Sequence, residues 1–199
     1  FMQSSFSTYT IVNQNNLVKV PKEADLRLLG PLGCGLVTGS GAVQDVLKPE
    51  PGSSIAVFGT GAVGFGALMT AKIRGCNPII AVDIHDSRLE TAISLGATHV
   101  INSKKEDVVE RILEITEGLG LDYTVDTSGV SAVMETAIRV LGEGGVSVPI
   151  AVTKNNININ TTNDLVMANR TIAGVKMGRN VPQIAIPKLV QFHGEGKFP

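Results

Sequence analysis

The sequence predicts an α/β chain built on a doubly wound parallel sheet, and three observations carry that prediction. Short apolar runs recur at 55–58, 79–83, 98–101, 121–126 and 146–150, the near-continuous pattern of strands covered on both faces. Between them lie stretches with helical spacing that stop at glycine, as helices do. At 199 residues the chain holds one full domain of this kind with some additional structure, but not two ordinary domains and a linker.

Taken in order, the first fifty residues read differently from the rest. Residues 6–12 and 17–20 are expected as two short strands joined by the polar turn 13–16, and 23–29 as a short helix. Residues 30–47 form a glycine-rich segment whose helical spacing is strongest after Gly41. The strand 55–58 then leads through a glycine-rich turn into an apolar helix and the strand 79–83. Residues 86–95 predict a helix stopped at Gly96, 106–117 an amphipathic helix closed by Gly118, and 132–141 a further helix with Gly142 at its end. The fifth strand is expected at 146–150 and the sixth at 171–175. Right-handed crossovers then lead to the order 3-2-1-4-5-6, the Rossmann-type arrangement. Residues 155–160 alternate polar and apolar, which suits a half-buried edge strand open to pairing with a symmetry mate. A surface loop anchored by Ile157 and Ile159 fits the same alternation.

The most specific signal lies between Ile55 and Asp83. The run Ile55-Ala56-Val57-Phe58 enters Gly59-Thr60-Gly61-Ala62-Val63-Gly64 and, after the helix, the chain reaches Ile79-Ile80-Ala81-Val82-Asp83. This is the layout of a dinucleotide-binding βαβ unit: Gly59 for the tight turn, Gly61 for close approach of a pyrophosphate, Gly64 for helix–strand packing. The helix start offers unpaired N–H groups and the positive end of the dipole to the phosphates. Asp83 stands where a carboxylate accepts hydrogen bonds from the adenosine ribose. It would repel a 2′-phosphate, so NAD is favoured over NADP, with Arg88 and His85 close by in sequence.

Composition narrows the class further. A formal net charge of −1 leaves no electrostatic footprint for nucleic acid or acidic membranes. No apolar run approaches the ~18 residues of a membrane span, so a cytoplasmic protein is the expectation. Two cysteines, Cys34 and Cys76, make neither a disulfide framework nor a paired-cysteine zinc signature. Cys76 reads as a small buried hydrophobe, and His85, His99 and His193 read as loop or structural residues.

Read together with the glycine loop and Ala81-Val82-Asp83, the segment Gly33-Cys34-Gly35-Leu36-Val37-Thr38-Gly39-Ser40-Gly41-Ala42 resembles the zinc-dependent medium-chain alcohol dehydrogenases. Gly30-Pro31-Leu32-Gly33-Cys34-Gly35, residues 95–103 and the closing Gly196-Lys197-Phe198-Pro199 look most like the aryl-alcohol (benzyl-alcohol) branch, and the resemblance runs from Ser5 to the end. It implies that Cys34 is one protein ligand of a catalytic zinc and Thr38 the residue beside the nicotinamide. It also implies that Ala62 and Val63 belong to the phosphate loop, that Arg88 flanks the ribose, and that Ile150 contributes a backbone contact to the carboxamide. At the neighbouring Pro149 one backbone donor is missing.

The same resemblance implies that the remaining zinc ligands and the proton relay lie upstream of Phe1, so the catalytic residues are unknown here. A single thiolate does not hold zinc in its usual four-coordinate manner, and Cys34 is expected to be metal-free in this chain. The division expected is 1–29 as a fringe of the catalytic, GroES-like domain and 30–199 as the NAD-binding domain. The function implied is the coenzyme-binding part of an NAD-dependent dehydrogenase that interconverts a primary, aryl alcohol and its aldehyde, inactive alone. A homodimer through 157–159 is expected. The rivals are a non-catalytic nucleotide-binding module, an S-adenosylmethionine methyltransferase and a zinc-free quinone reductase.

Overall fold

The structure, a computed structural model, describes residues 6–199; residues 1–5, the start of the expected fringe, lie outside the described residues. Short helical pieces precede the sheet. Asp25 caps helix α1 (Leu26–Leu29) by accepting from the Arg27 amide. Helix α2 (Gly35–Gly41) follows a 3-10 turn, Gly30–Gly33, and runs on as a π-helical stretch, Ala42–Leu47. The chain then alternates: β1 (Ile55–Phe58), α3 (Ala62–Arg74), β2 (Ile79–Asp83), α4 (Asp86–Leu95), β3 (His99–Asn102), α5 (Val108–Ile115), β4 (Leu121–Asp126), α6 (Ser131–Arg139), β5 (Leu141–Pro149), β6 (Thr171–Ile172) and α7 (Pro182–Gly194).

All five strand pairings are parallel and the order is β3-β2-β1-β4-β5-β6, so the expected doubly wound sheet is borne out. Strand period sorts the side chains to two faces. Val57, Ala81, Val125 and Val148 pack with Ala67, Leu68 and Ala71 of α3 on one face. Ala56, Phe58, Ile80 and Leu121 pack with Ile112 of α5 and Ala137 of α6 on the other. A third cluster, Leu32, Val37, Met69, Ile186, Leu189 and Phe198, holds α7 against α2 and α3. No single helix among the described residues is long and apolar enough to cross a membrane.

Several expected elements are corrected. No strand forms within 6–20: Phe6, Tyr9 and Ile11 are almost fully exposed, and a ribbon with no apolar face buried gains too little to hold. The helix expected at 23–29 keeps only its last turn, while α2 begins at Gly35, well before Gly41. The strand expected at 146–150 starts earlier, at Leu141, with an irregular register that sets Leu121 opposite Leu141 and Tyr123 opposite Val146. The sixth strand shortens to two residues. The segment 155–160 is no edge strand. Its backbone is satisfied by helix side chains instead: the Asn158 amide donates to Glu135 at 2.7 Å and Arg139 donates to the Asn158 carbonyl at 3.1 Å. It docks on α6 as the loop alternative required, with Ile157 and Ile159 half-buried.

Candidate functional site

The C-terminal ends of β1, β2 and β4 open into a cleft of about 730 Å³, the place where open α/β sheets bind ligands. Its inner wall is the glycine loop. Gly59 holds φ +87, where a β-carbon would be strained and would also press on Thr127 Oγ1 at 2.8 Å. A β-carbon on Gly64 would lie 2.0 Å from the Gly59 carbonyl oxygen, so only glycine lets α3 seat this closely on the turn. At Gly61 a β-carbon would meet nothing within 4 Å. That face opens on the cleft, and it adjoins the start of α3, where no side chain caps the first amides. An anion fits such a helix end.

Asp83 closes the outer side. It is 7% exposed, and four protein donors hold it. Oδ2 accepts from the Thr60 amide at 2.7 Å and the Thr60 hydroxyl at 2.8 Å, and Oδ1 from the amides of Ile84 at 2.7 Å and His85 at 3.0 Å. Burial pushes this carboxyl up, but the Thr60, Ile84 and His85 donors outweigh it and leave Asp83 below the usual carboxylate range. Arg88 reaches to 3.8 Å from Oδ2 at the solvent rim. Asp83 is therefore a fixed, ionised carboxylate beside the glycine loop.

Of the expected residues, Gly59, Gly61, Ala62, Val63, Asp83 and Arg88 line this one cleft, with Gly64 beneath it. Thr38 and Ile150 do not line it. Thr38 is buried on α2, its hydroxyl 3.9 Å from the Met177 sulfur. It is tied to the loop through packing: a β-carbon on Gly39 would lie 1.8 Å from the Val63 carbonyl oxygen. Ile150 follows β5 and donates its amide to the Asp126 carbonyl at 2.9 Å. Cys34 is exposed just before α2. Among the described residues no three His, Cys, Asp or Glu side chains gather as metal ligands would. Cys76 lies in the core, its thiol pushed up to about 11 by burial, which makes it unreactive.

Sequence reading missed two contributors. Thr60, hidden within the glycine motif, supplies two of the four Asp83 bonds. The turn after β4, Thr127 to Val130, forms the facing wall, and Thr127 Oγ1 donates to the Gly59 carbonyl at 2.7 Å. The polar run Asp126-Thr127-Ser128-Gly129 directly after an apolar strand was the available signal.

Comparison with known proteins agrees with this geometry. The family model described as zinc-binding dehydrogenase matches residues 62–193. The chain is 34% identical to a geraniol dehydrogenase of Castellaniella defragrans, covering 100% of this chain and 54% of that one. It superimposes with TM-score 0.94 on the benzyl alcohol dehydrogenase of Acinetobacter calcoaceticus, at 45% identity over 99% of this chain and 54% of that one. An alcohol dehydrogenase zinc-binding domain protein from Burkholderia ambifaria gives TM-score 0.94 at 49% identity, covering 99% and 53%. The chain thus spans about half the length of the curated relatives it matches. The resemblance read from the sequence is borne out: the chain belongs to the zinc-binding dehydrogenases and carries their NAD-binding domain.

Proposed function

We propose that this chain is the coenzyme-binding part of a dehydrogenase that passes a hydride between a primary, aryl alcohol and NAD, yielding the aldehyde, NADH and a proton. The observation that carries the reading is the convergence of three features on one cleft: the open face of Gly61, the uncapped start of α3 and the fixed carboxylate of Asp83. The pyrophosphate lies on the first and second, and the adenosine ribose donates its hydroxyls to the third. A 2′-phosphate would bring a second anion against Asp83, which favours NAD over NADP. The nicotinamide end extends toward Thr38 and Ile150, and Arg88 screens the ribose edge. The aryl preference rests on the likeness to the benzyl alcohol dehydrogenase.

In the whole enzyme Cys34 would be one of the groups holding a zinc ion, which would supply Lewis-acid polarisation of the substrate oxygen. The described residues offer Cys34 but no ligand cluster, so the chain's own part is to bind and orient the coenzyme, and alone it is proposed to bind without turnover. Residues 30–199 form the NAD-binding unit in this reading and 1–29 a fringe of the catalytic domain. A cytoplasmic homodimer with residues 157–159 at its interface completes the proposal.

The test is a titration with NADH and with NADPH, following nicotinamide fluorescence, on the wild type and Asp83→Ala. Saturable NADH binding that weakens in the variant, with little response to NADPH, supports the reading. No binding of either overturns it.

A further inference from the structure

We propose that Asp126 is a positioning residue that couples dinucleotide binding to the uptake of a proton, because it is a fully buried carboxyl that fastens the turn forming the far wall of the cleft. This deepens the coenzyme reading and rests on it.

Asp126 ends β4 with its side chain wholly buried. Oδ1 accepts from the Ser128 hydroxyl at 2.6 Å and the Ser128 amide at 3.2 Å, folding the turn back on the strand end. Among the described residues Oδ2 has no hydrogen-bond partner. The strand neighbours in register are Phe58 on β1 and Pro149 on β5, neither of which has a side-chain donor to give. Unpaired buried carboxylate oxygens are costly, and the cost falls when the group takes a proton. Burial accordingly pushes this carboxyl above the usual carboxylate range, against the opposing pull of the Ser128 and Gly129 donors.

The group is close to where the coenzyme's charge arrives. Thr127, the next residue, donates to the carbonyls of Phe58 and Gly59, so the turn held by Asp126 and the phosphate loop are one hydrogen-bonded unit. A bound dinucleotide adds pyrophosphate charge beside that unit and removes water from the cleft. Both effects disfavour the anion of Asp126, so binding draws a proton from solvent onto Oδ2.

Charged groups on the surrounding elements do not replace Asp126 in this role. The described β1 carries none. Glu143 on β5 is exposed near the opposite end of its strand. On α6, Glu135 and Arg139 lie 3.7 Å apart and bind the 158 backbone. Across the cleft stand Asp83, Arg88, Glu106 and Asp107. Asp83 is already held ionised, and its protonation at acid pH weakens binding, the opposite sign.

The experiment measures NADH affinity from about pH 5 to about pH 8, with proton uptake read by calorimetry in two buffers of different ionisation heat. In the wild type the affinity is expected to fall about fivefold as pH rises, with protons taken up on binding. In Asp126→Asn, which keeps the Oδ1 acceptor, the affinity is expected to be pH-independent above the range of Asp83, with no uptake. Equal pH slopes and equal uptake in the two proteins overturn the coupling while leaving coenzyme binding intact. Absence of NADH binding to the wild type overturns both. Should Asp126→Asn fail to fold, carbon NMR of the wild-type Asp126 carboxyl decides: its titration must move to higher pH when NADH is added, and an unmoved titration overturns the proposal.

Discussion

On one side of the sheet, β1 and β2 are buried at every residue and each leads within a few residues into its helix. On the other, β5 carries a register irregularity, β6 has two residues, and the stretch between them is a docked loop followed by π and 3-10 turns. The first side holds the glycine loop and Asp83, which we propose to meet the pyrophosphate and the adenosine ribose. The second carries Ile150 and, beyond β6, Met177 against Thr38. The difference teaches that the glycine-loop side is set by strand pairing, tight glycine turns and a few side chains, Thr60, Asp83 and Thr127, that lock onto them. The side that carries Ile150 and Met177 is shaped by irregular segments.

The comparison breaks most sharply at Gly64. A methyl group there meets the Gly59 carbonyl oxygen at 2.0 Å, backbone against backbone, so α3 must leave β1 or the turn must open. Gly64→Ala is expected to lose about 3 kcal/mol, the upper range for overpacking, and to abolish NADH binding. Urea unfolding and the fluorescence titration check both. A variant as stable as wild type would show that the loop is more pliant than its contacts indicate.

Asp83→Ala ranks next. It removes the acceptor of four donors in a buried place, and about 2 kcal/mol of stability is expected to go with it. Its pH signature has a definite sign. The folded-state carboxyl is lowered, so its contribution is complete above the unfolded value, near pH 4, and is lost as pH falls through the folded value. The wild type should therefore lose stability on acidification through this window faster than Asp83→Asn, measured as urea midpoints against pH. Thr60→Val is a milder probe: it removes the hydroxyl bond and keeps the amide bond, for a cost of about 1 kcal/mol. NADH affinity is expected to weaken less than in Asp83→Ala, because the carboxylate remains.

How much was legible in the sequence follows the same division. Strand order, the glycine roles and Asp83 were readable because each rests on local pattern: period, turn chemistry, the end of an apolar run. Thr60 escaped because its contact with Asp83 spans 23 residues and exists only once β1 and β2 pair. Gly35 to Gly41 was underrated as helix because its glycines disfavour one in isolation, whereas the close approach of α2 to α3, Gly39 against Val63, repays that cost. At 155–160 alternation was real, with Ile157 and Ile159 inward. Alternation reports which side chains turn inward, not which backbone groups pair, and here Glu135 and Arg139 took the pairing.

The smallest expected effect tests that last point. Were 155–160 an edge strand, lysine at 157 and 159 would disturb sheet pairing and lower stability clearly. As a loop held by Glu135 and Arg139 through the Asn158 backbone, it keeps its attachments when the two isoleucines change. The double variant Ile157→Lys, Ile159→Lys is expected to lose about 1 kcal/mol or less, the typical cost of a half-buried substitution, with far-ultraviolet dichroism unchanged. Its size by light scattering bears separately on the proposed dimer. A monomeric variant beside a dimeric wild type supports an interface at these residues, and an unchanged dimer moves the interface elsewhere on the molecule.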